Sequence, residues 1–130
     1  MNIETLWVHI NAPIATVYDF VRDARNLPRW VPFFTSVQPG KDTDTWQVDT
    51  PDGPAQFQFA KRNDFGVLDH RIWFSSGAVL SNPMRVIEQG HSSLLSFTLF
   101  QLDTMSDEQF NEDKRLVEKD LNTIRQLIEN

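Results

Sequence analysis

The feature that most constrains the fold is a long amphipathic segment near the end of the chain, residues 107–129. Its apolar residues recur at helical spacing: Phe110, Val117, Leu121, Ile124 and Ile128. This spacing predicts a helix with one apolar face, and Ser106 with Gln109 forms a capping box at its start. An apolar face of this length must be covered by a large partner. The strands predicted in the preceding residues can supply it, which indicates an α+β fold with an antiparallel sheet packed on this helix.

The residues before this helix predict a short helical opening and then a run of strands. Residues 3–10 alternate as a strand does, and residues 13–22 carry the apolar stripe of a helix. Residues 23–34 contain two prolines and predict a helical turn and a loop. Five later segments predict strands joined by short turns: 44–49, 55–61, 65–74, 78–90 and 92–103. Short turns favour antiparallel pairing in chain order, and Pro83 indicates a bulge or an edge position.

Length and composition restrict the class of protein. With 130 residues, 40% of them hydrophobic, the chain is predicted to form a single globular domain over 1–130. The net charge is −6 and the 12 basic residues are scattered, which argues against the positive patch that nucleic-acid binding needs. The absence of cysteine excludes disulfides and thiolate chemistry. No segment has the pattern of a signal peptide or could span a bilayer, so no stable membrane insertion and a cytoplasmic location are expected.

Aromatic residues are concentrated in the predicted sheet and in the loop that precedes it. Of the 15 aromatic residues, 11 lie between Trp30 and Phe100. Alternation places part of them on the inward face, where a helix that crosses a curved sheet can leave a gap. Two interpretations stay open at this point, an apolar ligand cavity and an aromatic-rich core without one.

One predicted central strand carries three consecutive polar residues, Asp69, His70 and Arg71. Because side chains alternate along a strand, His70 is predicted to face inward while Asp69 and Arg71 face outward. The three therefore cannot form one compact catalytic site. An inward His70 has two interpretations. It is either a buried neutral imidazole satisfied by one hydrogen bond or a polar group that orients a ligand in an apolar pocket.

The polar residues predict no metal and no cofactor, and they leave any catalytic residues unidentified. His9, His70 and His91 have no second ligand at a metal-site spacing, and no glycine-rich phosphate loop is present. No nucleophile elbow supports a Ser–His–Asp triad. The carboxylates of the last helix are predicted to lie on its solvated face: Glu112, Asp113, Glu118 and Asp120.

Four short motifs are spread along nearly the whole chain: Ala12-Pro13 with Val17 and Phe20, Pro28-Arg29-Trp30, Asp69-His70, and the ending DLNTIRQLIE. Together they resemble the START-like (SRPBCC) superfamily, and within it the bacterial branch labelled polyketide cyclase/dehydrase. The resemblance implies a helix-grip fold, in which a curved sheet wraps around the C-terminal helix and encloses an apolar cavity. It also implies binding of a small hydrophobic or aromatic ligand, such as a lipid, a polyketide or a quinone. No catalytic residues of the cyclases match this chain, so the resemblance implies no reaction.

With this resemblance, the inward apolar residues become candidates for the lining of a ligand cavity. The candidates are Trp30, Phe33, Trp46, Phe57, Phe59, His70, Ile72, Phe74, Met84, Phe97, Leu99, Leu121 and Ile124. The loop between Trp30 and Val37 is predicted to gate the cavity.

Two alternatives from other classes of protein are kept. The first is an enzyme of the polyketide cyclase/dehydrase type that uses His70 as acid or base. The second is a protein-interaction module, such as a homodimer, in which Trp7, Trp73 and Phe100 are exposed and contact the partner.

Overall fold

The computed structural model describes residues 2–130, in which a helical opening precedes most of the strands. The first elements are β1 (Ile3–Ile10), α1 (Ile14–Arg22), a 3-10 turn (Ala24–Asn26) and α2 (Leu27–Trp30). The strands that follow are β2 (Ser36–Pro39), β3 (Thr45–Thr50), β4 (Gly53–Phe59), β5 (His70–Phe74), β6 (Val79–Asn82), β7 (Met84–Gln89) and β8 (Ser92–Phe100). The last element is helix α3 (Asp107–Glu129). None of the helices in these residues is long and apolar enough to cross a membrane.

The strands form two antiparallel groups that meet at Pro83. Strands β2 to β6 pair in chain order, and β1, β8 and β7 form the second group. Pro83 separates β6, which pairs with β5, from β7, which pairs with β8. The Pro83 carbonyl still accepts a hydrogen bond from the Thr98 amide at 2.9 Å. The interruption predicted at Pro83 is therefore a change of partner strand. Proline has no amide hydrogen, so it cannot donate a backbone hydrogen bond to a neighbouring strand.

The single strand predicted over 78–90 is thus two strands, β6 and β7, and two further regions differ from the sequence prediction. Strand β2 was not predicted, because it is a four-residue edge strand that ends at a proline and leaves little alternation to detect. The strand predicted over 65–74 begins only at His70. The residues before it form a loop held by the Asn63 side chain, which hydrogen-bonds both the amide and the carbonyl of Val67 at 3.0 Å.

Helix α3 packs against the sheet through the predicted apolar stripe. Phe110, Leu121 and Ile124 are buried. The predicted capping box is present: the Gln109 amide donates to the Ser106 hydroxyl at 3.1 Å, and the Ser106 amide donates to the Gln109 side chain at 2.9 Å. The α+β prediction, with an antiparallel sheet on a long C-terminal helix, is confirmed.

The outer face of the sheet carries the polar neighbours of His70. Arg71 is exposed. Asp69 accepts a hydrogen bond from the Met84 amide at 2.9 Å and two from the Arg85 guanidinium at 3.0 Å each. This fork joins the start of β5 to the start of β7, next to the change of partner strand at Pro83. Asp69 and Arg85 thus brace the sheet on the side away from α3.

Candidate functional site

A cavity of about 370 Å³ lies between the concave face of the sheet and α3. Its walls come from the end of α2 and the following loop, from β4, β5, β6 and β8, and from one side of α3. Of the 13 residues predicted to line such a cavity, nine do so: Trp30, Phe33, Phe57, His70, Ile72, Phe74, Phe97, Leu99 and Leu121. Most lining side chains are apolar. The role of these residues in binding a ligand stays a prediction.

Four of the predicted lining residues lie elsewhere. Met84 and Ile124 are fully buried in the solid core, where α1 packs against β7 and α3. Phe59 packs edge-on against the rings of Phe57 and His70, with centroids 4.8 Å and 5.7 Å apart. Trp46 lies in a separate surface depression beside α1 and the 3-10 turn. Alternation correctly gave the inward face, but it cannot tell whether α1 or a cavity occupies the space above a residue.

Eight lining residues were not predicted: Val31, Phe34, Leu80, Asn82, Asp113, Leu116, Val117 and Asp120. Asp113 and Asp120 contradict the prediction that the carboxylates of α3 lie on its solvated face. The sequence did hold a signal for them. Spacings of three and four residues connect Phe110, Asp113, Val117, Asp120 and Ile124, so both carboxylates occupy positions of the apolar stripe.

The mouth of the cavity is marked by two lining residues that are also well exposed. Phe33 in the loop after α2 and Leu116 on α3 are each 43% exposed. Phe34, the next residue of the loop, is buried and packs edge-on against Phe57, with centroids 5.9 Å apart. The loop that was predicted to gate the cavity therefore has one aromatic ring anchored in the core and one at the opening.

His70 lies at the sheet side of the cavity, enclosed by aromatic rings. Its imidazole stacks on Phe57 with centroids 5.1 Å apart and an interplanar angle of 19°, and it packs at a tilt against Phe97. Burial lowers the pKa of His70 to about 4, so the ring is neutral at neutral pH. Its Nδ1 lies 3.1 Å from the Leu68 carbonyl, which can only accept. The proton is therefore on Nδ1, and Nε2 is left as an acceptor with no donor among residues 2–130.

Asn82 lies beside His70 on the adjacent strand, and the two residues are directly paired across β5 and β6. The side-chain nitrogen of Asn82 donates to the Thr98 backbone carbonyl at 3.2 Å. Its side-chain oxygen receives no hydrogen bond from the described part of the chain. Two acceptors with unused capacity thus stand next to each other on the sheet wall of the cavity.

Asp113 and Asp120 lie on the opposite wall, two helical turns apart on α3. Burial raises the pKa of Asp120 to about 7, and the nearby Lys119 opposes this shift. Burial, together with the charge of Glu112, also raises the pKa of Asp113. Within residues 2–130 neither carboxyl group has a hydrogen-bond or ion-pair partner. A carboxyl group held in an apolar wall without a partner is a common property of functional sites.

Replacing Asp120 with asparagine should raise the free energy of unfolding at pH 8 by about 1–2 kcal/mol. This value is smaller than the pKa shift alone would give, because Asp120 is only partly buried and solvent screens its charge. The folded protein raises the pKa of this group, so ionisation above pH 7 costs stability that asparagine avoids. As the pH falls below 7 the folded protein takes up the proton before the unfolded chain does. The advantage of Asp120→Asn should therefore shrink towards pH 5. Urea unfolding at both pH values measures it.

The control is Glu118→Gln, an exposed residue of the same helix, which should change stability by less than about 0.5 kcal/mol at either pH. Equal stability of Asp120→Asn and the native protein at pH 8 would contradict the prediction.

The three aromatic residues assigned to a partner surface do not form one patch. Trp7 on β1 is 65% exposed, and Phe100 on β8 lies on the same outer face but is half-buried. Trp73 on β5 is half-buried in an open depression on the outer face of the other group of strands, beside Gln56 and Gln58. Only Trp7 is as exposed as the interaction-module interpretation expects.

Comparison with known proteins identifies related sequences and folds. The family model described as "Polyketide cyclase / dehydrase and lipid transport" matches residues 10–77, just over half of the chain. No curated protein matches at a significant level.

Solved structures of similar fold cover the whole chain. An uncharacterised protein from Bacillus thuringiensis has a TM-score of 0.78 at 18% identity and covers 99% of this chain and 100% of its own. A START superfamily protein from Mycobacterium smegmatis has a TM-score of 0.72 at 14% identity, covering 98% and 97%. The Zhui aromatase/cyclase from a Streptomyces species has a TM-score of 0.69 at 12% identity, covering 98% and 93%. These similarities confirm the predicted helix-grip fold.

Proposed function

The chain belongs to the polyketide cyclase/dehydrase and lipid transport family of the START-like superfamily, and on this premise we propose that it binds a small hydrophobic or aromatic molecule in the cavity between the sheet and α3. One observation carries the proposal. The cavity is apolar except for a few polar groups with unused hydrogen-bonding capacity, which is the usual composition of a small-molecule site. A cavity that served only as a packing defect would have no reason to hold such groups.

His70 is proposed to orient the ligand. Its Nδ1 is engaged by the Leu68 carbonyl at 3.1 Å, and its stacking on Phe57 fixes the plane of the ring. An acceptor held this rigidly loses little conformational freedom when a ligand hydroxyl or amine hydrogen-bonds to Nε2. In this proposal the two interpretations of His70 are compatible. The ring is a buried neutral imidazole satisfied on one nitrogen, and its other nitrogen is available to a ligand.

The first experiment is native mass spectrometry of the protein purified from its natural host, followed by extraction of any bound molecule. In parallel, the neutral probe N-phenyl-1-naphthylamine should show saturable, one-site fluorescence enhancement. Its amine can donate to Nε2, so His70→Leu should weaken probe binding about tenfold, as expected for one hydrogen bond in an apolar site. Phe65→Leu is the matched control, because Phe65 is 84% exposed outside the cavity.

The two possible failures are separable. Unsaturable fluorescence with the native protein and no copurifying molecule would overturn the binding function itself. Full affinity in a folded His70→Leu variant would retain the cavity as the binding site but overturn the orienting role of His70.

An acid/base enzyme is the second candidate, and one observation favours it with a different residue. A pKa of about 4 makes His70 a weak base and leaves it without a proton to give at neutral pH. Asp120, with a pKa of about 7, matches the requirement for proton transfer at that pH. Any enzymatic role is therefore proposed for Asp120. Incubating the extracted ligand with the native protein and with Asp120→Asn tests it, and the absence of any ligand conversion by the native protein would overturn it. The interaction-module alternative is supported by the exposure of Trp7 but not by that of Trp73 and Phe100, which are half-buried. A homodimer and a cytoplasmic location stay predictions.

A further inference from the structure

We propose that the cavity selects apolar ligands that donate hydrogen bonds, such as phenols and amines, and disfavours carboxylates and other anions. This inference rests on the proposed binding function and narrows its ligand class. It follows from two properties of the lining, its hydrogen-bonding capacity and its charge.

Above pH 7, where Asp120 is ionised, the polar groups that face the cavity act as acceptors. His70 presents Nε2, because its Nδ1 hydrogen is directed to the Leu68 carbonyl. The side-chain oxygen of Asn82 receives no hydrogen bond from the residues that the structure describes, while its side-chain nitrogen already donates to the Thr98 carbonyl. Asp113 and Asp120 add carboxyl oxygens on the opposite wall.

The indole donor of the lining is closed off. Trp30 lines the cavity, but its indole N–H is fully buried and has no hydrogen-bond partner among residues 2–130. A ligand could reach it only if the surrounding side chains moved. A ligand that supplies hydrogens to the open acceptors therefore fits this wall better than one that supplies only oxygen lone pairs.

The charge of the lining points in the same direction. The cavity is lined by two carboxyl groups and a neutral imidazole, and none of the described residues that line it is a lysine or an arginine. A bound carboxylate would lose its hydration without gaining a cation and would lie near Asp120 in an apolar environment. Juxtaposed like charges cost several kcal/mol at desolvated interfaces. A neutral phenol avoids this repulsion, and an ammonium group is attracted to the ionised Asp120.

Ionisation of Asp120 should therefore modulate the selection. The charged or titratable groups around it are Asp113 and Lys119 on its own helix and His70 on β5. The residues that the loop after α2 and strands β4, β6 and β8 present to the cavity are not titratable. Among the groups that line the cavity, Asp120 is therefore expected to change its charge most between pH 5.5 and 8.

The test uses three probes built on one ring: 2-naphthol, 2-naphthylmethylamine and 2-naphthoate. Binding is measured by quenching of tryptophan fluorescence and checked by calorimetry. At pH 8 the phenol and the ammonium should bind at least about tenfold more tightly than the carboxylate. At pH 5.5, where Asp120 is protonated, binding of 2-naphthoate should strengthen and binding of the ammonium should weaken.

Asp120→Asn separates the inference from a general loss of fold. At pH 8 this variant should bind 2-naphthoate more tightly and the ammonium more weakly than the native protein, with each change several-fold. Opposite changes for two probes cannot come from destabilisation. Glu118→Gln removes the same charge from an exposed position of α3 and should leave all three affinities unchanged.

The outcomes distinguish this inference from the proposed function. Equal affinity for 2-naphthoate and 2-naphthol at pH 8 would overturn the inference and leave the binding function intact. Failure of all three probes and of N-phenyl-1-naphthylamine to bind, together with the absence of a copurifying molecule, would overturn both.

Discussion

Replacing Gly66 with alanine should destabilise the protein by about 3 kcal/mol, because two separate costs combine at this position. Gly66 has a positive φ of 72°, which a residue with a β-carbon adopts only with strain. A β-carbon here would also clash with the Val86 carbonyl oxygen, a backbone atom that cannot rotate away. The Gly66 carbonyl accepts a hydrogen bond from the Val86 amide at 2.9 Å, so relief of the clash would break the join to β7.

Gly90→Ala separates the two costs. Gly90 has a φ of 59°, but a β-carbon there would meet no atom within 4 Å. Only the conformational cost applies, about 1 kcal/mol. Thermal unfolding should show a decrease in Tm of about 10 °C for Gly66→Ala and about a third of that for Gly90→Ala. Similar decreases for the two variants would mean that the contact with Val86 does not matter.

Acidification should destabilise the fold through His70 by up to about 3 kcal/mol between pH 6.5 and pH 4, since each unit of pKa difference is worth about 1.4 kcal/mol. Burial lowers the pKa of His70 from 6.5 to about 4 in the folded protein. Below pH 6.5 the unfolded chain therefore binds a proton that the folded protein does not. Stability is full above pH 6.5 and is lost as the pH falls towards 4.

Asp120 acts in the opposite direction over nearly the same range. Its pKa is raised from 3.8 to about 7, so the folded protein binds the proton first and gains stability as the pH falls. In the native protein the two effects partly cancel. Urea unfolding at pH 7, 5.5 and 4.5 should show a flatter acid loss in His70→Leu and a steeper one in Asp120→Asn. Parallel pH dependences in the native protein and His70→Leu would rule out His70 as the source.

The local elements could be predicted from the sequence because their causes are local. The capping box at Ser106 and Gln109, the stripe of α3 and the inward direction of His70 depend on spacing within a few residues. The inward position of two carboxylates of α3 could have been predicted from the same spacing. Asp113 and Asp120 stand at stripe positions, and their charge led to an outward assignment that the spacing itself did not support.

The other differences from the prediction depend on how the elements pack against one another. Trp46, Phe59, Met84 and Ile124 face inward, as four of the lining candidates should, yet they do not line the cavity. What lies above each of them depends on where α1 ends and where α3 crosses the sheet. Strand β2 was missed for a related reason, since a short edge strand is defined mainly by its pairing with β3.

By itself, the sequence determined the α+β class, the C-terminal helix and the single imidazole on the inner face, because side-chain periodicity fixes which face each residue presents. Only the tertiary structure decided that a cavity remains and that acceptors line two of its walls. It also left Asp120 without a hydrogen-bond or ion-pair partner in the described part of the chain. These properties depend on the volume left between packed elements and on the loss of water around buried groups. Both are set by residues far apart in the chain.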